Sequence, residues 1–242
     1  MENTVEQLMK AFEEKLQKSY DHTINSSLKE LLDSLKSLPE KMQEEYGMKI
    51  ADMAYEQGRK AYDGFDAYRL PALLNCVGTV FYRFPDNESI ALMFLELDKG
   101  QLELKLHIRE NDNLEIYQED IEDVVKNYPT NEKIGLESMM CYANLQANCS
   151  MAAQTMGTFG PSSAFVEKNI DGMEAISARF PNNKRINLIY CRSLAATVSE
   201  LYNHPNREKY NKAFRLLKNL VETRNFNVPT DIPEFLQMLE SR

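Results

Sequence analysis

Three histidines, four cysteines, paired acids and a basic run are the groups in this chain whose types could do chemistry. A metal site needs His, Cys or carboxylate ligands gathered together, often three or four residues apart on one helix face. His22, His107 and His204 have no other His or Cys three or four residues away, and Cys76, Cys141, Cys149 and Cys191 form no CxxC pair. The spacing predicts no metal site and no cofactor. Four scattered thiols in a chain of this length read as buried, reduced core cysteines. No glycine-rich phosphate loop and no nucleophile elbow occurs. Glu119/Asp120 and Glu122/Asp123 could do acid–base work only if apolar surroundings raised a pKa; their neighbours read instead as a solvated helix face. The expectation is a protein that is not an enzyme.

Charge is the stronger signal. The chain of 242 residues carries a formal net charge of −9. Between Asp86 and Asp123 twelve acids face three bases; between Arg179 and Arg224 ten bases face three acids. Such asymmetry can steer partners. Lys209, Lys212, Arg215 and Lys218 recur every third residue beside Arg207 and could lie along a nucleic-acid backbone. Interleaved Ala213, Phe214, Leu217 and Leu220 make them the outer face of an amphipathic helix, and nucleic acid is disfavoured as a partner. The first twenty residues lack the apolar block of a signal peptide, and no apolar run would span a bilayer. A cytoplasmic protein without membrane contact is expected.

The elements that must position these groups are helices. Long stretches lack Gly and Pro and are rich in Leu, Met, Ala, Glu, Lys and Gln. Val5, Leu8 and Phe12, then Leu28, Leu31, Leu35, Leu38 and Met42, place one apolar stripe on each of two helices. The break between them is expected at His22 to Ser27, with Ser26 or Ser27 as a cap. Pro39 starts a new helix, another is expected over 47–63, and one runs from about Pro71 to Phe84. Leu102, Leu104, Leu106 and Ile108 alternate as in a strand, but helical surroundings favour a helix.

The chain also repeats itself. FPDNESIAL (84–92), YPTNEKIGL (128–136) and FPNNKRINL (180–188) all read aromatic-Pro-x-Asn-x-x-Ile-x-Leu. Offsets of 44 and 52 residues suit arrays of helix pairs. The prolines Pro85, Pro129 and Pro181 end one helix. Asp86, Thr130 and Asn182, or Asn87, Asn131 and Asn183 one residue on, are fitted to cap the next. Each copy is therefore expected to be a structural corner. The copy at 180–188 differs from its siblings in carrying Lys184 and Arg185.

These corners, and the run NREKYNKAFRLLKNLVE with Tyr210, Ala213, Phe214 and Leu217, resemble the tetratricopeptide-repeat family over roughly residues 66–224. The resemblance implies an all-α fold of antiparallel helical-hairpin repeats, a tetratricopeptide-like superhelix or solenoid. Residues 1–65 are expected as an N-terminal helical hairpin or coiled-coil-like segment. Residues 66–242 are expected as the repeat domain with a C-terminal capping helix. It further implies a protein-interaction scaffold whose first helices line a binding surface. Carrying over the family's outward positions gives Lys133, Met140, Asn144, Arg185 and Arg192, suited to an acidic or carboxylate-bearing peptide. The alternative is a regulatory or self-associating protein that forms a homodimer through the seam of Leu28, Leu31, Leu35 and Leu38.

Overall fold

Proline and asparagine set the corners of this fold. The computed structural model describes residues 2–18, 22–110, 112–156, 163–201, 207–224 and 226–240. Among them the chain is all-α, with eleven helices and no strand. The helices are α1 (Glu2–Lys18), α2 (His22–Leu35), α3 (Glu40–Asp63), α4 (Leu70–Arg83), α5 (Glu88–Ile108), α6 (Leu114–Asn127), α7 (Glu132–Met156), α8 (Ser163–Arg179), α9 (Lys184–Leu201), α10 (Arg207–Thr223) and α11 (Asp231–Glu240).

At each repeated motif the same turn forms. The amides of Asn87, Asn131 and Asn183 donate to the carbonyls of Phe84, Tyr128 and Phe180, so aromatic-Pro-x-Asn closes a four-residue turn. The Asn side chain then caps the next helix. Ile90, Ile134 and Ile186 donate their amides to Oδ1 of Asn87, Asn131 and Asn183 at 3.2, 3.1 and 2.9 Å. The cap is thus the Asn, not the Asp86, Thr130 or Asn182 before it. Its chemistry is that of any polar N-cap: it satisfies an amide that the first turn leaves without a partner.

Two compact units divide the chain, Met1–Lys105 and Leu106–Arg242. In unit 1, α3 and α4 form an antiparallel pair, because Phe84 at the end of α4 lies against Gly47 near the start of α3. α5 then runs parallel to α3: Tyr55 donates to Glu96, Tyr62 donates to Glu103, and Leu97 packs on Gly58. Arg69 bonds the Leu16 carbonyl and, at 3.3 Å, Gln57, tying the end of α1 to α3. The seam residues Leu28, Leu31, Leu35 and Leu38 are all buried, at 9% exposure or less. The homodimer alternative therefore lacks the exposed apolar stripe it requires. Two boundaries also differ from expectation. α2 already runs from His22, so Ser26 and Ser27 lie inside it. The helices expected at Pro39 and at 47–63 are one, α3. The alternating run 101–108 is helical, in α5, as its surroundings led one to expect.

Unit 2 repeats this wiring. Phe180 at the end of α8 lies against Gly135 near the start of α7. Asn169 on α8 donates to Gln146 on α7 at 2.9 Å, and Tyr142 packs on Gly172, so these two helices are antiparallel. α9 follows parallel to α7. α6 and α8 are parallel too, through Gln118 with the Phe165 carbonyl and Glu122 with Lys168. The side chain of Tyr210 and the residue His204 lie outside the described residues.

Candidate interaction surface

The start of α9 is fixed by one asparagine. Asn183 caps it with Oδ1 and uses its Nδ2 to donate to Glu132 at the start of α7, at 2.7 Å. Some five turns along, Ser150 on α7 donates to Glu200 on α9 at 2.5 Å. These two contacts hold α7 and α9 side by side, parallel, at a near-constant register.

That register aligns the residues carried over from the family resemblance. On α7, Lys133, Met140 and Asn144 are spaced seven and four apart and share a helix face. Arg185 and Arg192 on α9 are likewise seven apart and stand level with Lys133 and Met140. Lys133, Lys184, Arg185 and Arg192 are exposed; Met140 and Asn144 are half-buried, as are Leu188 and Ile189 between the two arginines. The Asn144 carbonyl also accepts from Nδ2 of Asn148, at 2.9 Å. Among the described residues, Lys133, Lys184, Arg185 and Arg192 make no ion pair or hydrogen bond through their side chains. Glu132 is the acid beside them. The arrangement is a partly apolar strip with an excess of unsatisfied cations along it.

The basic strip on α10 is different. Lys212 is paired with Glu167 and Asp171 on α8, at 3.1 and 2.6 Å. Lys218 is paired with Glu240 on α11 at 2.6 Å. These lysines tie α10 to its neighbours, and their charge is already matched. The acidic window is also mixed. Glu119 and Asp123 are exposed and Glu122 pairs with Lys168, as a solvated face requires. Asp98, however, is fully buried on α5, with Gln101 and Lys105 one and two turns on at 2% and 6% exposure. A solvated acidic face does not describe Asp98, and nothing in the local sequence separates it from its exposed neighbours.

Among the described residues no three His, Cys, Asp or Glu side chains cluster as metal ligands, and no helix is long and apolar enough to cross a membrane. All four cysteines are buried and none is in a disulfide. Burial pushes the Cys76 and Cys149 thiols up to about 12 and the Cys191 thiol up to about 11. Thiolates are the reactive form, so an aromatic disulfide reagent at neutral pH is expected to modify none of the four in the native protein and all four in denaturant. The sign for stability follows. Folding favours the protonated thiol, so this contribution is intact below about pH 9, where an unfolded thiol ionises, and is lost as pH rises toward 12. Denaturant midpoints at pH 8 and pH 10 would show the decline. Comparison of the chain with protein-family models, curated proteins and solved structures found no match.

Proposed function

We propose that this chain is a non-enzymatic interaction scaffold of tetratricopeptide-like design, holding an acidic segment of a partner protein along the α7–α9 strip. One observation carries the reading: four exposed cations, Lys133, Lys184, Arg185 and Arg192, stand on two adjacent parallel helices and make no ion pair among the described residues, in a chain of net charge −9. Cations left unmatched inside an acidic protein favour carboxylates from outside it. Half-buried Met140 and Leu188 between them offer apolar contact, which suits an amphipathic peptide. The parallel setting of α3 with α5, and of α7 with α9, supports the repeat reading.

The test is charge reversal. Arg185→Glu/Arg192→Glu should weaken binding of a fluorescein-labelled leucine–glutamate peptide about tenfold or more, with helicity unchanged by circular dichroism. Binding should also weaken with added salt. Equal affinity of the variant and the parent protein would overturn the assignment.

A further inference from the structure

Unit 1 carries an unmatched surface of its own. α2 and α4 lie side by side in parallel register. Asn75 Nδ2 donates to Asn25 Oδ1 at 3.0 Å, and eight residues along each helix Asp33 lies within the field of Arg83. Between them runs an open groove of about 460 Å³. Lys29, Leu32 and Asp33 of α2, with Lys36 just past its end, form one wall, and Thr79, Tyr82 and Arg83 form part of the α4 wall. The Asn25–Asn75 pair closes one end. Tyr82 is 52% exposed, yet its ring is set edge-on to Phe94 inside the unit, at 6.2 Å. An aromatic wall held from behind in this way is rigid and costs little entropy to use.

The charges in the groove are one-sided. Asp33 is bonded to Lys36 at 2.6 Å. Among the described residues Lys29 makes no ion pair or hydrogen bond, and Arg83 reaches only Gln43, at 3.4 Å, the long limit of a hydrogen bond. Three cations against one acid invert the sign of the chain as a whole. Arg83 also lines a neighbouring notch of about 310 Å³ with Glu40, Glu44 and Asp86. Those acids lie past Arg83 and do not line the groove, so an anionic ligand is favoured between Lys29 and Arg83.

We infer that this groove docks an acidic amphipathic segment of a partner protein, with apolar side chains against Leu32 and Tyr82 and carboxylates at Lys29 and Arg83. Its concavity favours a peptide over a bilayer, which binds protruding apolar side chains. The site belongs to unit 1 and stands independently of the α7–α9 strip.

The test uses the full-length, isotope-labelled protein and a synthetic helical peptide with leucines on one face and glutamates beside them. A copy with lysine for glutamate is the control. The glutamate peptide should shift the amide resonances of α2 and α4. Its Kd should rise about tenfold in Lys29→Glu/Arg83→Glu. Thr79→Trp, which fills the groove without changing charge, should weaken it similarly. All three positions are exposed, and unchanged thermal melts would show that both variants fold. Arg185→Glu/Arg192→Glu should leave these shifts in place, so this site and the α7–α9 strip can fail separately. Equal binding of the lysine peptide, or an unchanged Kd in both variants, would overturn the inference. So would a dimer of the protein alone that Lys29→Glu/Arg83→Glu dissociates, which makes the groove a self-interface. Sedimentation with phosphatidylserine vesicles, lost in the same variant, would overturn it in favour of a membrane.

Discussion

Gly135→Val is expected to unfold the α7–α8 pair locally while leaving α3 and α4 intact. Replacing a helical glycine with a larger residue ordinarily stabilises, because glycine gives up the most backbone freedom; the gain for alanine is about 1 kcal/mol. Here the sign reverses. A Cβ on Gly135 would overlap the Phe180 ring, with Cδ2 at 2.9 Å. Valine adds two more carbons in a site with no room for the first. Either the ring swings out, losing its packing at the corner, or α7 and α8 move apart. Overpacking of this kind costs about 1–3 kcal/mol and more where backbone must shift; about 3 kcal/mol is expected here. Amide hydrogen exchange reads the two units separately, and protection should fall across α7 and α8 alone. Gly47→Val should do the same to α3 and α4 through Phe84, whose Cδ2 would lie 2.7 Å from the new Cβ. Phe180→Ala in the Gly135→Val background should recover part of the loss. A rise in stability for Gly135→Ala would show that the ring yields freely and that the close approach is unimportant.

The corners were legible in the sequence because their causes are local. Pro85, Pro129 and Pro181 cannot continue a helix, and an Asn placed two residues later can cap the next. Those facts hold whatever surrounds them. The close approach of Phe84 to Gly47 and of Phe180 to Gly135 was not legible, because each pair spans 37 or more residues and depends on how two helices meet. The same limit hid the pairing of Lys212 with Asp171, and left exposed and buried versions of the Leu28–Leu38 seam equally open. Periodicity says that a helix has an apolar face; it does not say which helix covers it. Asp98 is the sharpest case. It sits in a run of acids and differs from them in being fully buried. For the candidate strip, the seven-residue spacings within α7 and within α9 were readable, but the register that sets Lys133 level with Arg185 comes from Asn183 and Glu132, across the pair.

Asn187→Leu is expected to destabilise unit 2 by about 2–4 kcal/mol, and the reason lies in a position where the three corners differ. Ala91 and Gly135 stand where the third corner has Asn187, and Phe81 and Val125 stand where it has Ser177. Asn187 is fully buried, and Ser177 is 2% exposed. Ser177 donates its hydroxyl to Asn187 Oδ1 at 2.9 Å, and Asn187 Nδ2 donates to the Pro181 carbonyl at 2.8 Å. One side chain thus closes the corner from both sides. Leucine would leave the hydroxyl and the carbonyl without these partners, and a buried polar group so stranded costs about 1–3 kcal/mol. The pairing across corners gives a sharper expectation than the single variant. Ser177→Val/Asn187→Gly copies the middle corner, removing donor and acceptor together. If the two polar residues act as a unit, the double variant should lose less stability than the sum of its singles, by about 1 kcal/mol or more in a double-mutant cycle. Additive losses would mean that Asn187 acts on Pro181 alone. Asn187→Asp separates these roles by pH. It keeps the acceptor for Ser177 but sets a carboxylate against the Pro181 carbonyl, so burial and repulsion raise its pKa above that of the unfolded chain. Its stability should then be highest at low pH, where the protonated acid can still donate to Pro181, and should fall as pH rises from the unfolded carboxylate value through the raised one.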